Sequence, residues 1–88
     1  MNQSTDVLIV GKITNVEYLT TVKGDKMALI LVETLLRTVE AVVFPNAFKQ
    51  SGDAIRPGEI VAIKGREEKG SDGTVIIYAL EISKQPDP

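Results

Sequence analysis

The chain has no cysteine, no histidine and no tryptophan in its 88 residues. Without cysteine there is no disulfide, and without a Cys/His cluster there is no structural zinc site, so packing alone has to hold the fold. The missing imidazole also removes the one side chain that ordinarily titrates near neutral pH. No nucleophile is paired with a base, the acids are scattered singly, and no GxxxxGK[ST] or GxGxxG run is present; Lys64-Gly65-Arg66 does not make a phosphate loop. A non-enzymatic protein without cofactor or metal is expected.

Aromatic residues are scarce, with only Tyr18, Phe44, Phe48 and Tyr78. Charge of one sign is scarce as well: 10 Lys and Arg stand against 12 Asp and Glu, for a formal charge of -2. That balance excludes a basic nucleic-acid coat but allows a local positive stripe. The start, MNQSTDV, has neither the cationic beginning nor the apolar core of a secretory signal, and a cytoplasmic location is expected.

What the chain does have is 43% hydrophobic residues in short runs broken by glycine and proline. That describes one soluble domain over 1–88, with a core at 7–83 and a polar tail at 84–88. A chain this short buries only about 60 to 65% of its unfolded surface, so modest stability is expected unless it oligomerises.

Residues 7–18, VLIVGKITNVEY, place Ile9, Gly11 and Ile13 on one parity and then Val16 and Tyr18 on the other, which predicts a strand bulged near Thr14 and Asn15. Gly11 in mid-strand suits a close approach of another backbone, as at the corner of a small barrel. LTTVKGD, 19–25, reads as a connection. MALILV, 27–32, is an apolar strand, ETLLR a reversal, and TVEAVVF, 38–44, the returning strand with Val39, Ala41 and Val43 on one face. Pro45 ends the pairing and suits the first turn of a helix. PNAFKQSGDAIR, 45–56, predicts a short helix, with Phe48 and Phe44 expected in the core. EIVAIKGR, 59–66, and TVIIYALEI, 74–82, are strands four and five, joined by a hairpin loop at Lys69 to Gly73. Ser83 to Pro88 reads as a frayed tail.

Five strands, a bulged first strand and a helix between the third and fourth follow the order of the OB-fold, an all-β five-stranded Greek-key barrel. An SH3-like barrel is the alternative on pattern alone, although a helix at that place is foreign to it.

Two stretches are more specific. Lys23-Gly24-Asp25-Lys26-Met27-Ala28 resembles the motif KKGxxMAF, and Val39-Glu40-Ala41-Val42-Val43-Phe44-Pro45 resembles IEVVVFP. Both belong to the OB-fold, anticodon-binding-like domain of the bacterial DNA polymerase III alpha subunit, and the resemblance runs from about Val7 to Ile82 with Gly58 to Gly65 as its fourth strand. It implies a module that contacts single-stranded DNA in replication. The chain departs at the hairpin tip, where Arg37 stands in place of the family's glycine. Strand five also departs, carrying no charge among Ile76, Tyr78 and Leu80. An excised domain and a small stand-alone protein both fit.

An OB-fold binds single strands across strands two and three and between the loops after strands one and four, using cations for phosphates and flat side chains for bases. Lys23 and Lys26, Arg66 and Lys69 are the expected phosphate contacts, converging on one rim, with Lys64 and Arg37 on the flanks and Tyr18 as base platform. The same cations also read as solvated surface charge interleaved with Asp25, Glu67, Glu68 and Asp72. So thin a set supports only weak, sequence-tolerant, salt-sensitive DNA binding. Leu35 and Leu36 at a hairpin tip, with Ile76, Tyr78 and Leu80 on the last strand, suggest instead a protein contact, either a homo-oligomer or a docking site on a larger polymerase or replication chain. Nothing in the sequence suggests a membrane partner.

Overall fold

The first strand has to serve two neighbours, and the residues from Gly11 to Asn15 let it do so. In the computed structural model, which describes residues 4–85, β1 (Ser4–Thr20) pairs antiparallel with β4 (Ile60–Lys69) from Ser4 to Lys12 and with β2 (Lys26–Glu33) from Lys12 to Thr20. The register slips between Ile13 and Asn15. One extra residue there bends the strand and raises its twist, as the parity change in the sequence predicted. A Cβ on Gly11 would lie 2.5 Å from the Glu33 carbonyl oxygen, so only glycine lets the end of β2 cross so closely at that corner.

The hairpin partner of β2 is β3 (Thr38–Val43), which also pairs in parallel with β5 (Val75–Lys84); β5 returns antiparallel to β4. The order β1-β2-β3-β5-β4 closes into a barrel. A second bulge lies opposite the step from Lys64 to Gly65, where Leu80 is the unpaired residue of β5. Here the Gly65 position is packed against the Tyr78 carbonyl oxygen and the Ala79 backbone. Ser83 and Lys84 are part of β5, and the amide of Gln85 donates to the Ile60 carbonyl at 2.8 Å. The frayed tail expected from Ser83 onward therefore starts later, because ladder bonds to β4 hold these polar residues; the remainder of that tail, 86–88, lies outside the described residues.

One end of the barrel is closed by α1 (Pro45–Ser51) and a single 3-10 turn, Gly52–Ala54. Proline is the first helical residue, where its missing N–H costs nothing. The helix buries Ala47, its Ser51 hydroxyl donates to the Ile82 carbonyl at 2.7 Å, and Ile55 just beyond is fully buried. Among the described residues no buried side chain is polar or charged. The largest buried side chains, Ile13, Ile30, Ile55, Ile63, Ile77, Val32, Val43 and Val61, are all β-branched. Such side chains are stiff and pack well on a strongly curved sheet.

The two kinds of glycine environment predict opposite responses. Gly65→Ala forces a methyl into backbone and should cost about 1 to 3 kcal/mol, a fall of roughly 5 to 20 °C in Tm for a domain of this size. Gly52→Ala, whose nearest neighbour is the Phe48 ring at 3.8 Å and whose backbone is already helical, should leave Tm unchanged or raise it by a few degrees. Thermal melts of the two variants beside the parent check both.

Candidate nucleic-acid interface

Each loop around the barrel is tied by its own short side chains. In the β1–β2 loop, 21–25, the Thr21 hydroxyl accepts from the Asp25 amide at 3.1 Å while the Gly24 amide donates to the Thr21 carbonyl at 2.9 Å. This leaves Val22 and Lys23 at the exposed apex. In the β4–β5 loop, 70–74, the Asp72 carboxylate accepts from the Thr74 hydroxyl at 2.6 Å and from its amide at 3.1 Å. Those two bonds hold the Asp72 carboxyl below its ordinary pKa, the hydroxyl contributing most.

The tip of the β2–β3 hairpin shows how the chain manages without the expected glycine. No non-glycine residue among those described has positive φ. Instead the Thr34 hydroxyl donates to the Arg37 carbonyl at 2.7 Å and accepts from the amides of Leu36 and Arg37 at 3.3 and 3.1 Å. One side chain does the work of a turn. Arg37 is thereby carried back to the barrel, where its guanidinium donates to the Glu67 carboxylate at 2.7 Å.

The expected convergence of cations on one rim is corrected by the register. Lys26 opens β2 at the end where Ala28 pairs with Val43, whereas Val75 opens β5 beyond Ile76, which pairs with Glu40 near the start of β3. Because β3 and β5 run parallel, the loop entering β5 lies at the opposite end of β2–β3 from the loop entering β2. At about 3.3 Å per residue the two ends are roughly 20 Å apart. Lys23 and Lys26 form one group and Lys69 stands at the other end, with Arg66 and Lys64 on β4 between them.

Lys23, Lys26 and Lys69 take part in no ion pair among the described residues. Arg66 meets Asp6 at 3.4 Å and Lys64 meets Glu81 at 3.9 Å, and all four side chains are largely exposed. Such pairs are worth little, so a phosphate displaces the carboxylate cheaply. Arg37 is different, since its partner Glu67 keeps only 16% of its side chain exposed.

The outer face of β2–β3, the usual binding surface of this fold, is short of both chemistries. Cross-strand pairing puts Glu17 opposite Leu29 and Glu40 opposite Leu31, with Asn15 beside them. Neither a cation nor an aromatic ring lies in that groove.

The aromatics fall into two pairs. Tyr18 lies on the inward parity of β1, its hydroxyl donates to the Ile55 carbonyl at 2.8 Å, and its ring meets Phe48 edge-on with centroids 6.4 Å apart. Tyr18, Phe48, Lys26 and Met27 line a groove at the helical end. Phe48 packs against the core as expected. Phe44 does not: it is 46% exposed and stacks on Tyr78, centroids 5.9 Å apart and planes within 9°. The signal for it was in the sequence, because Val39, Ala41 and Val43 point inward and Phe44 has the opposite parity; the neighbouring proline had suggested burial.

The apolar candidates separate as well. Leu35 and Leu36 do not fold back but stand 104% and 94% exposed, bordering a groove with Leu8 and Val10 of β1. Leu80, also exposed, adjoins Leu8 from the other side. Ile76 and Tyr78 are half-buried, and Tyr78 belongs to the aromatic stack.

No curated protein matches the chain in sequence. Among solved structures it is similar to the mitochondrial single-stranded DNA binding protein of S. cerevisiae, Rim1, with a TM-score of 0.71 over 98% of this chain and 100% of that one. At 14% identity the likeness is one of fold. The family described as OB-fold nucleic acid binding domain, of the tRNA anti-codon type, matches residues 7–84. That span takes in the closed barrel, the helix after β3 and all three loops, and the chain belongs to this OB-fold nucleic acid binding domain family.

Proposed function

We propose that the chain is a non-catalytic module that binds single-stranded DNA weakly and without strong base preference, as part of replication. The observation that carries this reading is the nucleic acid binding family match over 7–84 on a barrel whose β1–β2 loop and β4 carry exposed cations. The fold shared with a single-stranded DNA binding protein supports it. The two motifs around Lys26 and Phe44 support the finer reading, an OB module like that of the bacterial polymerase III alpha subunit. Weakness follows from the formal charge of -2 and from the carboxylates already beside Arg37, Lys64 and Arg66. Phosphates are held by Lys23 and Lys26 at one end, by Lys69 at the other and by Arg66 between them, the two ends lying too far apart to share one phosphate.

A second reading has its own observation. Leu8, Leu35, Leu36 and Leu80 form an exposed apolar band around the N-terminal half of β1. A contact with a second copy of the chain or with a larger replication protein would cover it.

Two experiments separate the readings. Titrated with a short oligothymidylate, a chain using those four phosphate contacts should lose roughly 50-fold in affinity between about 50 and 200 mM salt, and Lys23→Glu with Lys26→Glu should weaken binding and flatten that dependence by about half. Affinity unchanged in the double variant would remove the β1–β2 loop from the site. For the second reading, light scattering over a wide concentration range should show a dimer that Leu35→Ser with Leu36→Ser returns to the monomer. A strict monomer at every concentration would rule out self-association.

A further inference from the structure

We infer that the Phe44–Tyr78 stack is the base platform of this barrel, and that a single strand runs over the two rings onto Arg66. This rests on the single-strand-binding reading above and says where the bases go.

The argument begins with what the β2–β3 groove offers. Glu17 and Glu40 flank Leu29 and Leu31, and no ring lies there. A phosphodiester chain laid along that groove would place its charge beside two exposed carboxylates and find nothing to stack on. Tyr18 is 58% exposed, but its hydroxyl is engaged by Ile55 and its ring meets Phe48 edge-on, so it offers no pair of parallel faces.

The outward side of β3–β5–β4 supplies what is missing. Val43 pairs with Ala28 on one side and Ala79 on the other, so Phe44, the next residue, stands between the start of β2 and the middle of β5. Tyr78 is directly opposite Arg66 across the β4–β5 ladder. Neighbouring strands are about 4.8 Å apart, so Phe44, Tyr78 and Arg66 follow one another across two strand spacings, roughly 10 Å. Two rings already parallel within 9°, one of them 46% exposed, present a π face without having to reorganise. A base extends the stack by one layer, and its phosphate falls to Arg66, directly across the β4–β5 ladder from Tyr78. Arg66 is held only by the exposed carboxylate of Asp6 at 3.4 Å, and Lys64 is the next outward cation on the same strand. Of the other carboxylates on this surface, Glu81 meets Lys64 at 3.9 Å, while Glu40 and Glu68 lie beside Ile76 on the far side of Tyr78 from Lys64.

The absence of tryptophan makes the test direct. In a Tyr18→Phe protein Tyr78 is the only tyrosine, and in a Tyr78→Phe protein Tyr18 is. The probes are an oligothymidylate and an abasic phosphodiester chain of the same length, at low salt. Oligothymidylate should quench Tyr78 emission and leave Tyr18 emission unchanged, the abasic chain should quench neither, and Phe44→Leu should weaken oligothymidylate binding by between about 5- and 100-fold, towards the abasic level. Amide spectra and melts confirm that the variant is folded, and the tyrosine reporters answer the question without it. Quenching of Tyr18 in place of Tyr78, or equal affinity for both probes with Phe44→Leu unchanged, overturns the platform and leaves DNA binding standing. No binding of either probe overturns both.

Discussion

Everything in this molecule depends on one strand pairing with two partners. β1 gives its first half to β4 and its second half to β2, and the bulge after Ile13 together with the bare backbone at Gly11 makes the change of direction possible. A closed barrel follows, and closure pairs strands that would otherwise expose their edges. With neither disulfide nor Cys/His metal cluster to fall back on, the fold has only this ladder and the side chains inside it.

The narrow interior then dictates which apolar residues go where. Isoleucine, valine and alanine fill it, and none of the leucines is buried. The β-branched shape suits a tightly curved sheet seen from within, while leucine and the longer rings are left to the outside and the ends. Hence a chain of ordinary hydrophobicity has an unusual surface: a leucine band around β1 and a stacked aromatic pair on β3 and β5. Function in either proposed form draws on what the core has no room for.

Electrostatics follows the same geometry. Because β3 and β5 run parallel, the loops that bring Lys23 and Lys69 lie at opposite ends of the binding surface. The cations are spread along a path, with acids beside Arg37, Lys64 and Arg66, so a polyanion gains from each only a modest, screened attraction. Arg37 has been drawn out of the set by Glu67, at the hairpin tip that Thr34 shapes in place of a glycine.

The alternation of Val39, Ala41 and Val43, the slip after Ile13, the glycine at 11 and the proline at 45 determined the barrel, its corner and its capping helix from the sequence alone. Strand parity and backbone freedom are local properties, and they are legible one residue at a time. Parity also pointed Phe44 outward, against the burial that its neighbour Pro45 suggested. What the sequence left undecided depends on strands far apart in the chain. That Phe44 meets Tyr78, that Arg66 stands opposite that ring, that Arg37 reaches Glu67 and that Leu8 joins Leu35 with Leu80 are consequences of register across ladders closed by the β3–β5 and β1–β4 pairings. A one-residue change in either register would reverse which side chains face out while leaving every local pattern intact, so only the tertiary structure decides them.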